Sequence, residues 1–236
     1  MTVARPTILW DFEGTLAYRL ELWRSALMEV LDDREPGHSI DMEQMRPYLR
    51  DGFYWHKPNE PHLHIKTANA WWSELEPVFQ RAYLGVGFDA VRAKELAKLV
   101  REYFINPKRF IIYDDVVSVL NRLTENGWRH AILSNHVPEL PEIVKALGLL
   151  PFFELCLTSA ATGWEKPNPE AFRNAISLLG EPRAVWVIGD SVTADVKGAE
   201  AVGLPVILVR SPKGGDVQYY APDLLGAAAI IESTDQ

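Results

Sequence analysis

The sequence predicts an α/β protein built on a doubly wound parallel sheet, with a helical module inserted after the first strand. Three observations lead there. Short, apolar, β-prone runs recur without strict alternation, as strands covered on both faces require. Each later run alternates with a helix-like stretch that stops at a glycine. Between the first run and the next strand-and-helix unit, roughly a hundred residues intervene, from Trp10 to Phe110.

The predicted strands are Thr7–Trp10 and residues 130–133, 155–158, 185–188 and 205–209. The helices between and after them cover residues 115–126, 138–147, 169–179 and 193–202, and each is followed at once by a glycine: Gly127, Gly148, Gly180 and Gly203. A glycine there suits the left-handed residue that closes many helices. Strands alternating with such helices define the doubly wound pattern.

The insertion, from Leu16 to about Arg109, reads mostly as helix. LELWRSALMEVL (20–31) and FDAVRAKELAKLVREYF (88–104) space their apolar residues by three and four, with residues 93–100 giving one buried and one solvated face. The stretch between them, DGFYWHKPNEPHLHIKTANAWW (51–72), is rich in aromatics, histidine and proline and reads as irregular or as a broken helix. Trp71 and Trp72 suit a buried packing role, and His62 and His64 read as a loop pair.

Composition narrows the function. Hydrophobic residues make up 47% of the 236 and charged residues 24%, which is enough apolar material to bury a real core. A formal charge of -8 argues against a nucleic-acid partner, since phosphate-backbone binding rests on a basic face. A small anionic substrate is compatible if positive charge is concentrated locally. The lone Cys156 cannot form an intrachain disulfide and fits a reducing, cytoplasmic setting. The opening MTVARPTILWDFEG reaches Asp11 too soon for a secretory signal, and no later run is long enough to span a bilayer, so no membrane association is expected.

In open parallel sheets the ligand crevice lies beyond the carboxyl ends of the strands. Asp11, Glu13, Gly14 and Thr15 follow the first strand, Ser134 and Asn135 the second, Lys166 the third, and Asp190 and Asp195 the fourth. Carboxylates gathered in one crevice repel one another unless a countercharge is present. Mg²⁺ suits a few carboxylates plus waters and phosphate oxygens, whereas Zn²⁺ would find no cysteine or paired histidines at these strand ends. Lys166 adds a second positive charge, so an aspartate and a phosphoryl group can approach each other, and an aspartyl-phosphate follows.

With these residues the sequence resembles the haloacid dehalogenase-like hydrolase superfamily, in its phosphatase branch with an inserted helical cap. The likeness rests on four ordered motifs over nearly the whole chain: DFEGT (11–15), LSN (133–135), Lys166 in EKPNPEAF (165–172) and GDSVTAD (189–195). The resemblance implies a Rossmann-like strand order of 5-4-1-2-3. It implies a core of residues 1–16 and 110–236 and a cap of residues 17–109. Asp11 would be nucleophile and metal ligand, with the main-chain carbonyl of Glu13 and the carboxylate of Asp190 completing a Mg²⁺ site. Ser134 and Asn135 would hold phosphate oxygens, Lys166 would neutralise nucleophile and phosphate, and Asp195 would orient Lys166 or a metal-bound water. The substrate would be a small phosphorylated metabolite.

One position departs from that pattern. The phosphatases of the family carry aspartate two residues after the nucleophile, as general acid and base, where this chain has Glu13. The extra methylene moves the carboxyl by roughly 1 Å, which can cost about a hundredfold in rate if nothing compensates. A working phosphatase is expected; a dehalogenase, or a weakly active or noncatalytic phosphometabolite-binding protein, are the alternatives. Ser134 and Asn135 also suit the start of the helix after them. Arg19, Arg24, Trp55 and Lys57 are candidates to face the crevice.

Overall fold

The computed structural model describes residues 5–211 and 217–234. Eight strands occur among them: β1 (Thr7–Trp10), β2 (Ala17–Arg19), β3 (Phe110–Ile112), β4 (Arg129–Ser134), β5 (Phe153–Thr158), β6 (Val185–Gly189), β7 (Val206–Val209) and β8 (Tyr219–Ala221). Six of them form one parallel sheet in the order β5-β4-β1-β6-β7-β8. The first strand sits at the centre with the expected neighbours on each side. The edge strand β8 extends the sheet beyond the five strands read from sequence.

Alternation along each strand distributes side chains to two layers. Ile8 and Trp10 pack with Ile132, Ile188, Leu120, Val144 and Ile231 on one face, while Leu9 packs with Ala131, Val187, Phe172 and Ala199 on the other. Both faces are therefore dry, which is why these runs carry no polar alternation. The helices between strands are Val116–Glu125, Leu140–Ala146 and Pro169–Leu178, with Leu224–Thr234 at the C-terminal side. Gly127 closes the first of these with φ 88°, a conformation that side chains with a Cβ resist.

Three expectations need correction. The fourth predicted helix opens as a π-turn over Val192–Val196 before Lys197–Glu200, because the chain widens there around the buried Asp195. The strand at Phe110–Ile112 does not join the main sheet; it pairs antiparallel with β2, Arg19 opposite Phe110 and Ala17 opposite Ile112. Ser134 and Asn135 do not cap a helix, since the next one begins only at Leu140, with Glu139 in the cap position.

The β2 and β3 ribbon joins the entry and exit of the inserted helical cap. Its helices, Leu22–Arg34, Ala68–Gly85 and Ala90–Phe104, bury Leu27, Leu31, Trp71, Leu75, Phe79, Leu96 and Val100 against one another. The stretch between Leu49 and Ala68 has only a short 3-10 turn at Tyr54–His56. The cap lies directly on the core. Trp72 Nε1 donates to Glu139 Oε2 at 3.0 Å, Arg101 Nη2 meets Glu139 Oε1 at 2.6 Å, and Asn168 Nδ2 donates to the carbonyl of Pro58 at 3.0 Å. Among the described residues, no helix is long and apolar enough to cross a membrane.

Candidate active site

The parallel register sets Trp10 opposite both Ile132 and Ile188, so the chain leaves β1, β4 and β6 at nearly the same level. Asp11, Ser134 and Asp190 therefore emerge side by side. Asp11 N donates to the carbonyl of Ile188 at 2.9 Å, and a tight turn follows in which Leu16 N and Ala17 N both donate to the carbonyl of Phe12. Gly14 lies in that turn at φ 80°, and a Cβ there would come within 2.3 Å of Asp190 Oδ2. Only glycine lets the turn approach that carboxylate so closely.

Lys166 is buried at the centre of the crevice. Its Nζ lies 2.9 Å from Asp11 Oδ1 and 2.5 Å from Asp195 Oδ1. Asp195 is fully buried, and its other oxygen accepts from Ser191 N at 3.0 Å. A Cβ on Gly189 would fall 2.2 Å from Asp195 Cγ, so the strand end must be glycine for this carboxylate to fit. Asn135 grips Lys166 from the opposite side: Nδ2 donates to the Lys166 carbonyl at 2.8 Å, and Oδ1 accepts from Lys166 N at 2.7 Å. The sequence pattern gives no sign of this side-chain clamp, which leaves only the main chain of Asn135 for the phosphate-binding role expected of it. Ser134 is buried at the end of β4.

Electrostatics make this an unbalanced cluster. One oxygen each from Asp11, Asp190 and Asp195 lie within 4.8 Å of one another. Burial, then the charges of Asp11 and Asp195, push Asp190 up to about 7. Burial likewise raises Asp195 against the pull of Lys166. Burial opposes the charge on Lys166, yet Asp11 and Asp195 together hold its ammonium above the ordinary lysine range. One ammonium among three carboxylates leaves negative charge to be neutralised.

Glu13 completes the floor. Its Oε1 accepts from Arg19 N at 2.7 Å, so the longer side chain is anchored across the turn, and its buried Oε2 has no hydrogen-bond partner. Burial pushes this carboxyl up to about 8, against the backbone hydrogen bond from Arg19. The donor set fits a hard divalent cation. Both oxygens of Asp195 are engaged, which leaves the carboxylates of Asp11 and Asp190 as the groups able to turn to an ion.

Two cavities of about 500 Å³ each meet at Glu13, Leu22, Trp23 and Leu49. The first reaches Asn135, Lys166, Ser191 and Thr193 and is overhung by Phe53, Trp55 and Phe104. The second reaches Gly14 and Asp190 and is edged by Arg24, Arg46 and Arg50.

Of the four crevice candidates in the cap, Trp55 and Arg24 line a cavity, whereas Lys57 is exposed and pairs with Glu60. Arg19 borders the second cavity, but its buried guanidinium is committed to Glu29 and to the carbonyls of Tyr103 and Phe104. His62 and His64 diverge: His62 is buried with Nε2 3.1 Å from Glu165 Oε1, and His64 is exposed beside Glu74. Trp71 and Trp72 are buried.

Arg210 and Trp23 were not singled out from sequence. Arg210 Nε donates to the carbonyl of Thr15 at 3.0 Å, its guanidinium pairs with Asp115, and it lies 3.8 Å over the ring of Tyr113. It braces the turn carrying Glu13 and Gly14 from the end of β7, so the rule that pointed to the other strand ends would have found it.

A doubly wound sheet, a carboxylate cluster at its carboxyl edge and an inserted helical cap together define a capped α/β fold with its ligand crevice beyond the strand ends. The chain belongs to the haloacid dehalogenase-like hydrolases: the family model of that description matches residues 6–203. It is 31% identical over 217 residues to human haloacid dehalogenase-like hydrolase domain-containing protein 3, covering 89% of this chain and 83% of that one. It is 28% identical over 207 residues to a phosphoglycolate phosphatase from Rhodobacter capsulatus, covering 86% and 83% of the two chains. Among solved structures, the magnesium-bound HAD-hydrolase YfnB from Bacillus subtilis superposes with a TM-score of 0.77 at 21% identity, over 97% of this chain and 99% of that chain. A 2-haloacid dehalogenase from Pseudomonas syringae gives 0.68 at 19% identity, over 98% and 99%. At such identities these structures share the fold.

Proposed function

We propose that the protein is a Mg²⁺-dependent phosphatase that removes phosphate from a small phosphorylated metabolite through an aspartyl-phosphate on Asp11. In this reading residues 17–109 cover a catalytic core made of residues 1–16 and 110–236. The observation that carries it is the ammonium of Lys166 bonded at once to Asp11 and Asp195, with Asp190 beside them. Relatives named as phosphatases support it, among them the Rhodobacter phosphoglycolate phosphatase and a phosphoserine phosphatase from Thermus thermophilus at 32% identity over 151 residues.

An oxygen of Asp11 attacks phosphorus in line with the ester oxygen, and the phosphorus–oxygen bond to the alcohol breaks as the new one forms. Lys166 offsets the negative charge of nucleophile and phosphoryl group, while Ser134 and the main chain at Asn135 hold phosphoryl oxygens. Glu13 donates a proton to the departing alkoxide. It then takes a proton from water, whose oxygen attacks the phosphorus of the acyl-phosphate and releases inorganic phosphate and free Asp11. With Oε1 anchored by Arg19 N, the free Oε2 is the oxygen that gives up the proton in the first half of that cycle and takes one back in the second. Mg²⁺ held by Asp11, Asp190 and the Glu13 carbonyl would supply Lewis-acid stabilisation of phosphoryl charge. YfnB, described as bound to magnesium, supports that assignment.

A panel of phosphate esters assayed with Mg²⁺ and with chelator, on the natural protein and on Asp11→Asn, tests the reading. Mg²⁺-dependent phosphate release that disappears in Asp11→Asn is expected. Release that persists in that variant removes the nucleophile, and release unaffected by chelator removes the metal.

A further inference from the structure

The cavity above Lys166 has two chemically different halves. Its core side carries the polar groups, Glu13, Asn135, His136, Lys166, Ser191 and Thr193, interleaved with Val137, Pro167 and Ala194. Its cap side is Leu22, Trp23, Leu49, Phe53, Trp55 and Phe104, with Pro58 at the margin. None of these cap residues carries a charged, hydroxyl or amide side chain.

The aromatic rings on that side lie nearly parallel. Trp23 stacks on Phe104 at 3.9 Å between centroids and 15°, and Phe53 on Trp55 at 4.4 Å and 12°. Trp23 and Trp55 are themselves 6.1 Å apart and 22° from parallel. Both tryptophans are only half-buried, so ring surface remains to be covered by whatever enters.

Such a wall discriminates between leaving groups. A sugar or glycerol hydroxyl turned toward it would exchange water for carbon and lose hydrogen bonds. A second anionic group would find no cation there. In the neighbouring cavity Arg24 is engaged by Glu21 and Glu43 and Arg46 by Glu43, while Arg50 lies on that cavity's exposed rim, outside the lining of this one. A flat, apolar group would instead stack on the rings and displace poorly bound water.

We infer that the preferred substrate is a phosphate monoester of an apolar, ring-bearing alcohol, seated with its phosphoryl group at Lys166 and its ring against Trp23 and Trp55. The inference rests on the phosphatase reading for its turnover arm but not for its binding arm. With Mg²⁺, kcat/KM for benzyl phosphate should exceed that for glycerol phosphate by about thirtyfold. The two alcohols are similarly poor leaving groups, so the ratio reports recognition rather than chemistry. Trp55→Ala should shrink the ratio by about tenfold, with Trp55→Phe restoring most of it. A ratio near one, a preference for glycerol phosphate, or a ratio unmoved in Trp55→Ala overturns the inference.

The binding arm uses benzylphosphonate and methylphosphonate titrated calorimetrically into the Mg²⁺-loaded protein. Tighter benzylphosphonate binding with no ester turned over upholds the apolar site and sinks the phosphatase. Equal binding sinks the apolar site, whatever the turnover.

Discussion

The floor and the roof of the principal cavity are built by opposite physical means. On the floor, Lys166, Asp11 and Asp195 are placed by hydrogen bonds and ion pairs that start from strand ends in register, with Asn135 and Ser191 N bracing the charged groups. On the roof, Trp23, Phe53, Trp55 and Phe104 are placed by ring packing within a helical layer. Polar placement is directional, so small displacements there cost much; apolar placement is graded with area. Reaction chemistry and ligand selection can therefore change separately in this molecule.

The sharpest way to break that division is Asp11→Asn on the floor. It should lower turnover of every ester alike by at least about a thousandfold, while urea unfolding stays cooperative. A loss confined to some esters would show that the floor also selects. Next in size is Phe79→Ala, which removes a fully buried ring of the cap. About 3–5 kcal/mol of stability should be lost by chemical denaturation. If the floor is independent of roof packing, Asp11-dependent turnover by the folded fraction should survive.

Acidification probes the layer beneath the floor. His130 is buried, accepts from Trp10 Nε1 at 3.0 Å on Nδ1, and is pushed by burial down to about 4. Its folded pKa lies below the unfolded value near 6.5, so the unfolded chain binds a proton over that interval while the folded chain does not. Stability is thus fully present above about pH 6.5 and declines by up to about 3 kcal/mol as pH falls toward 4. Buried His136, also pushed down to about 4, acts in the same direction. Urea midpoints measured across the interval should fall, with a shallower decline in His130→Gln.

Two smaller effects sharpen the contrast. Asn135→Ala releases the main chain of Lys166 without removing its charge and should cost about a hundredfold in kcat, with little change in affinity for benzylphosphonate. Glu139→Gln weakens the contact of Trp72 and Arg101 with the core and should raise KM a few-fold with kcat nearly kept.

Much of the floor could be read directly from sequence because the strand-end rule is local. A short apolar run followed by a small polar cluster marks its own place, so Asp11, Ser134, Lys166, Asp190 and Asp195 each announced themselves. Parallel register brings Asp11 and Asp190 together, whereas Lys166 and Asp195 reach them through the segments that follow β5 and β6. Three-residue strands carry too little pattern to be recognised, which is why β2 and β8 were missed and the pairing of β3 was not foreseen. The Asn135 clamp depends on where the chain passes after β5, and the direction of the Glu13 carboxyl depends on Arg19 N arriving across the turn. His62 and His64 illustrate the same limit, since two residues close in sequence pair with carboxylates from distant parts of the chain, Glu165 and Glu74.

By itself the sequence determined the doubly wound core, the inserted helices and the charged groups at the strand ends, because periodicity and strand-end position are properties of neighbouring residues. Only the tertiary structure decided which oxygen of Glu13 is free, which arginines are already paired, and that the cap turns aromatic carbon rather than charge toward Lys166. Those outcomes depend on distances between segments far apart in the chain, which no local pattern encodes.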